Sequence, residues 1–128
     1  MAFHEGNSNF IESVYHALQG VIETVKVEKN IKTHLVITAF VIIAGFLFNI
    51  SLVEWLSIVI CIGLVLGMEL LNTSIEHTVD LASQMQYHNL AKKAKDASAG
   101  AVLIVAIMSV VIGMIIFIPK IWKILYID

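Results

Sequence analysis

Leu52-Val-Glu-Trp-Leu-Ser-Ile-Val-Ile-Cys-Ile-Gly-Leu-Val-Leu-Gly-Met68 runs directly into Glu69-Leu-Leu-Asn72-Thr-Ser-Ile-Glu76-His-Thr-Val-Asp80. The first part is apolar enough to enter a membrane, and no Gly or Pro interrupts the second. One helix over 52–80 would be about 43 Å long at 1.5 Å per residue, longer than a ~30 Å hydrocarbon core is thick. Its last turns must therefore emerge, and Glu69, about 26 Å along, falls near the boundary. At 100° per residue, Glu69, Asn72, Glu76 and Asp80 fall within an arc of roughly 80°. Three carboxylates and a carboxamide on one stripe repel one another, and an acid at mid-membrane costs on the order of 3 kcal/mol, less near the interface. Such a stripe calls for a metal ion, a lysine or a substrate. The plainer alternative is a solvated helix end with interfacial acids.

Composition places this helix in a membrane protein. The chain has 128 residues, 59% of them hydrophobic, and a mean hydropathy of +0.88. A soluble domain of this size cannot hide so much apolar surface, and the length suits one compact unit, residues 1–128. Net charge is −2 and all eight basic residues are Lys. With no basic patch of Arg forks, a nucleic-acid partner is not expected. The single Cys61 allows no internal disulfide and reads as a small buried hydrophobe.

Two further apolar segments flank the first. Spans are expected at about 34–50, 52–80 and 97–118, the last ending at Pro119, with Asn49 and Ser51 turning the chain between the first two. The first apolar run begins only after residue 33, so no signal peptide is expected. Over about 9–27, Phe10, Ile11, Val14, Leu18, Val21, Ile22 and Val25 recur at helical spacing on one face. This mixed helix suits the membrane surface or a place against the bundle. The fold expected is all-α: three transmembrane helices plus an amino-terminal amphipathic surface helix.

Lysines set the orientation. Lys26, Lys29 and Lys32 precede the first span and Lys92, Lys93 and Lys95 the third, while the 49–54 turn has none. The amino terminus and the 81–96 loop then face the cytoplasm, although Lys120 and Lys123 fall outside. Glu28, Glu69, Glu76, Lys95 and Asp96, scattered in sequence, share that cytoplasmic depth. Hard divalent cations such as magnesium take one or two carboxylates plus phosphate oxygens. Lys95 suits a phosphate as a point charge, and a remaining carboxylate suits a general base. Gly63 and Gly67, roughly opposite the acidic stripe, and the small residues at 97–101 would admit close helix approach. No G-x-x-x-x-G-K-S/T loop or G-x-G-x-x-G is present. The five His show no zinc spacing, and His77 reads as a solvated helix-end residue.

Glu69-Leu-Leu-Asn72-Thr-Ser-Ile-Glu76-His-Thr-Val-Asp80 closely resembles the Glu-Ile/Leu-Ile/Leu-Asn-Ser/Thr-Ala-Ile-Glu-x-x-Val-Asp signature of the prokaryotic diacylglycerol kinase family. Lys95-Asp96 followed by Ala97-Ser-Ala-Gly-Ala-Val-Leu resembles its Ala-Lys-Asp segment, and Glu28 matches its pre-membrane Glu. The likeness covers about residues 10–118. It implies a homotrimeric plasma-membrane kinase, multi-pass, that uses MgATP to phosphorylate a lipid alcohol at the cytoplasmic face. It implies Glu69 as general base and Glu28 and Glu76 as metal ligands. Asn72 would position the γ-phosphate, and Tyr87, His88, Lys95 and Asp96 would contact the nucleotide. Where the family often carries an aromatic or basic residue on the surface helix, this chain has Asn9, Glu12 and His16, and His16 is taken as the nucleotide contact. Ala99 replaces a Ser of the Gram-negative branch. Asn30-Ile-Lys-Thr-His-Leu-Val-Ile37 and Glu54-Trp-Leu56 look like the Gram-positive branch, whose members resemble undecaprenol kinases. Undecaprenol is therefore the favoured acceptor and diacylglycerol the alternative. Two readings from other classes are a small ion-coupled transporter, which three spans suit poorly and which leaves Lys95 and Asp96 without a role, and a non-catalytic assembly subunit.

Overall fold

The computed structural model describes residues 9–126, which form four helices. They are α1 (Phe10–Val27), α2 (Lys29–Leu47), α3 (Leu52–Ala82) and α4 (Asn89–Tyr126). The last three are long and apolar enough to cross a membrane.

The turn between α2 and α3 explains why the expected 34–50 span ends early. Asn49 adopts a left-handed φ of 47°. Its N–H donates to the Phe46 carbonyl at 3.2 Å, and the Ile50 N–H donates to the Gly45 carbonyl at 3.1 Å. That crossed pair is a Schellman ending, with Asn in the place Gly usually takes. Ser51 then caps α3: its Oγ accepts from the Glu54 N–H at 3.3 Å, and Glu54 Oε2 accepts from the Ser51 N–H at 2.7 Å. This reciprocal capping box fixes where α3 begins. At its start, α2 reaches back to Lys29, because polar residues continue a helix outside the membrane without any hydropathy signal.

α3 ends by the same device. Gln84 and Met85 both have left-handed φ, at 52° and 61°. The Gln84 N–H donates to the Leu81 carbonyl at 3.2 Å and the Met85 N–H to the Asp80 carbonyl at 2.9 Å. The chain then reverses into α4.

The helix that carries the third apolar segment runs on past Pro119, which lies inside α4. Proline removes one backbone hydrogen bond and usually costs a helix interior ~3 kcal/mol. Here the turns beyond it have their own anchors. Lys120 Nζ lies 3.1 Å from Glu54 Oε1 at the start of α3, and Trp122 stacks on Tyr126 with ring centroids 4.3 Å apart.

α3 and α4 form the most extensive helix pair. Ion pairs tie them at both ends, Glu54–Lys120 and Asp80–Lys95. The apolar core lies toward the α2–α3 turn, where Ile50, Ile58 and Ile116 are buried against Val41, Phe48, Trp55 and Phe117. Toward the opposite end the buried residues become polar: Glu69, Asn72, Thr73 and Ser98. Cys61 is buried and unpaired, as expected. α1 buries no residue; most of its apolar side chains are exposed, while Val25 is half-buried where the helix meets α2 and α3. Around Gly63 and Gly67 no atom would come within 4 Å of an added Cβ. The close approach expected at those glycines is not made by a helix of the same chain.

Candidate active site

The acidic stripe of α3 takes its geometry from helix register, and each acid meets a different partner. Glu69 is 5% exposed. Its Oε1 lies 3.0 Å from His34 Nε2, which projects from the second turn of α2. One turn further along, Asn72 Nδ2 donates to Glu76 Oε1 at 2.9 Å. Asn72 Oδ1 is buried without a partner among the described residues. A buried orphan acceptor costs about 1–3 kcal/mol, so this oxygen calls for a donor or a cation. Another turn on, Asp80 Oδ1 receives Lys95 Nζ at 2.6 Å from the opposing α4.

Asp80 and Lys95 also line a hollow of about 390 Å³ between the end of α3 and the first turns of α4. Tyr87, His88, Lys92 and Asp96 share its polar wall with Ser83 and Gln86. The left-handed pair Gln84–Met85 makes this hollow by turning residues 83–88 back beside α4. His88 Nδ1 accepts the Leu90 N–H at 3.2 Å, which holds the imidazole at the start of α4. Asp96 pairs with Lys92 one turn earlier on the same helix.

The structure thus gathers Tyr87, His88, Lys95 and Asp96 around one concavity, as their assignment to a common ligand requires. Asn72 and Glu76 are bonded to each other, and Glu69 sits on the same stripe. Glu28 lies half-buried at the α1–α2 junction, where its backbone is extended (φ −83°, ψ 123°) and its side chain does not cap α2. Among the described residues no three His, Cys, Asp or Glu side chains cluster as a ready-made metal site. His16 is exposed on α1, edge-on to Tyr15 with centroids 5.7 Å apart, and does not line the hollow. His77 is exposed, as expected.

Two partners escaped the sequence. His34 carried a weak signal, as a lone imidazole where the apolar run of α2 begins. Asp80 was assigned to the stripe, but its union with Lys95 depends on how α3 and α4 are paired.

A second cavity, of about 220 Å³, lies between α2, α3 and α4 within the span. Its lining is apolar apart from His34, Thr38 and Ser109, and includes Cys61, Val65 and Gly113.

Comparison with known proteins places this arrangement. Over 113 residues the chain is 47% identical to undecaprenol kinase of Bacillus subtilis, covering 88% of this chain and 91% of that protein. It is 36% identical over 111 residues to diacylglycerol kinase of Synechocystis, covering 87% of this chain and 63% of the relative. It is 28% identical over 113 residues to diacylglycerol kinase of Haemophilus influenzae, covering 88% and 95%. These relatives are lipid kinases, which decides against the transporter and assembly-subunit readings. Residues 15–117 match the family described as prokaryotic diacylglycerol kinase, so the chain belongs to that family of membrane lipid kinases.

Proposed function

We propose that the chain transfers the γ-phosphoryl group of ATP to the hydroxyl of undecaprenol at the cytoplasmic face of the plasma membrane, giving undecaprenyl phosphate. The observation that carries this reading is the buried Glu69 carboxylate, on the same helical stripe as Asp80 and on the stripe's line toward the Tyr87–Lys95–Asp96 hollow. The 47% identity to an undecaprenol kinase favours the polyprenol acceptor. The two diacylglycerol kinase relatives keep diacylglycerol as the alternative.

In this mechanism Glu69 accepts the proton of the acceptor hydroxyl as its oxygen bonds to phosphorus, and ADP leaves with the electrons of the broken P–O bond. Phosphoryl transfer passes through a loose transition state, so the protein's work is positioning and charge neutralisation. Lys95 brings a positive charge to the phosphates by exchanging its Asp80 contact for theirs. Tyr87 and His88 border the nucleotide, Asp96 holds Lys92 beside it, and Asn72 orients the γ-phosphate. His16 would reach the nucleotide only if α1 lies over the hollow. Glu76 and Glu28 are the proposed magnesium ligands. The orphan Asn72 Oδ1 beside Glu76 fits a hard cation, which keeps waters and phosphate oxygens and needs no three-carboxylate cage. Magnesium would neutralise charge developing on the β- and γ-phosphates.

Lys26, Lys29 and Lys32 around the start of α2 and Lys92, Lys93 and Lys95 at the start of α4 support a cytoplasmic site. Lys120, at the other end, is already paired with Glu54. α1, with most of its apolar side chains exposed, suits the membrane surface. The open face at Gly63 and Gly67 supports a homotrimer in which a neighbouring chain's helix fills that space.

Transfer of radiolabel from γ-labelled ATP to purified lipid tests the proposal. Labelled undecaprenyl phosphate is expected, with less label on diacylglycerol. Preference for diacylglycerol would move the acceptor to the alternative, and label on neither lipid would refute the reaction.

A further inference from the structure

We infer that His34 is a positioning residue for Glu69, donating from Nε2 to Oε1 and so leaving Oε2 to take the acceptor's proton. This rests on the reading of Glu69 as the general base. A buried carboxylate requires donors in place of lost water, and His34 is the ion-pair partner found for Glu69, at 3.0 Å. It comes from a different helix, so the contact fixes the carboxylate relative to α2 as well as to its own backbone. Glutamate has three rotatable side-chain bonds. Without this tether Glu69 could swing along the stripe toward Asn72 and Glu76, whose own bond does not involve it. A neutral Nε2–H imidazole and an imidazolium both supply the donor, so the tether does not depend on which is present.

His34 also borders the 220 Å³ cavity between α2, α3 and α4, and it is 22% exposed. Replacing it enlarges or fills existing space rather than breaking packed core. Variants at this position are therefore expected to fold and assemble.

The test is steady-state kinetics of His34→Leu, His34→Gln and Glu69→Gln, purified in detergent micelles, with MgATP against both undecaprenol and diacylglycerol. A displaced catalytic group can cost about 10²-fold in rate. His34→Leu should lower kcat about 10- to 100-fold while KM for ATP and lipid stays within about twofold. His34→Gln, whose amide can still donate to Glu69, should recover most of the lost kcat. The double variant His34→Leu/Glu69→Gln should be no slower than Glu69→Gln alone, since residues acting as one unit are not additive. If Glu69→Gln is inactive while His34→Leu keeps full kcat, the tether has no role in turnover. His34→Gln as slow as His34→Leu, with both proteins assembled, would equally refute donation as its role. An active Glu69→Gln is a different result: it removes Glu69 as the base and overturns the reading on which the inference stands.

Discussion

Four polar residues along one stripe of α3 meet their needs in three ways. Glu69 turns to a histidine on another helix, Asn72 and Glu76 turn to each other, and Asp80 turns to a lysine across the hairpin. Glu69→Gln separates charge from shape, because the amide oxygen can still accept from His34. We expect kcat to fall by at least about 10²-fold, the usual scale of a lost general base, with insertion and assembly unchanged on size-exclusion chromatography. Near wild-type turnover would remove Glu69 from the chemistry. Magnesium provides the next test. Glu76→Gln and Glu28→Gln should each raise the magnesium concentration for half-maximal activity. An unchanged magnesium dependence in both variants would place the metal elsewhere. The stripe itself was legible, because 100° per residue is a property of any helix. Its partners were not. His34 meets Glu69 only in the register set by the Asn49 turn, and nothing local to either residue encodes that register.

Helix identity was legible and helix ends were not, for a physical reason. Hydropathy marks where a helix is in the membrane, while hydrogen bonding decides where it stops. α2 stops at a left-handed Asn, α3 at a left-handed Gln, and α4 passes through a proline because its final turns are anchored to α3 and to each other. The tightest packing lies at the first of these ends. A Cβ on Gly45 would stand 2.7 Å from Trp55 Cη2 and 3.2 Å from Ile50 Cδ1. Trp55 also packs on Phe46, with centroids 4.9 Å apart, so the indole has little freedom to withdraw. Gly→Ala in a helix gains about 1 kcal/mol in propensity, and overpacking costs about 1–3 kcal/mol. The second effect should win for Gly45→Ala, giving a lower Tm in detergent. At Gly20 an added Cβ meets nothing within 4 Å, so Gly20→Ala should leave Tm unchanged or raise it. An unaltered Tm for Gly45→Ala would mean that Trp55 moves aside freely.

At the scale of the molecule, one chain leaves much of its site unfinished. Among the described residues Asn72 Oδ1 lacks a partner, Glu28 stands at the α1–α2 junction, α1 buries no residue, and the face at Gly63 and Gly67 is open. Along most of α2 and α4 large apolar side chains are exposed, which lipid can cover. Lipid is a poor filler for a glycine face and cannot satisfy an amide oxygen. A neighbouring chain can do both. In a shared site, Glu69 of one protomer would work with metal ligands of the next. Glu69→Gln and Glu76→Gln chains, each impaired alone at a magnesium concentration that just saturates wild type, should then regain partial activity when dissociated, mixed and reassembled. In a random trimer some sites receive an intact Glu69 from one parent and an intact Glu76 from the other. Activity should rise with the mixing ratio and peak near equal amounts, as measured by phosphate transfer to lipid. The proper control is wild-type protein taken through the same dissociation. If that control recovers while co-purified hybrids stay no more active than their parents at every ratio, each chain carries both residues of its own site, and Glu76 must act on the Glu69 seven residues before it on the same helix.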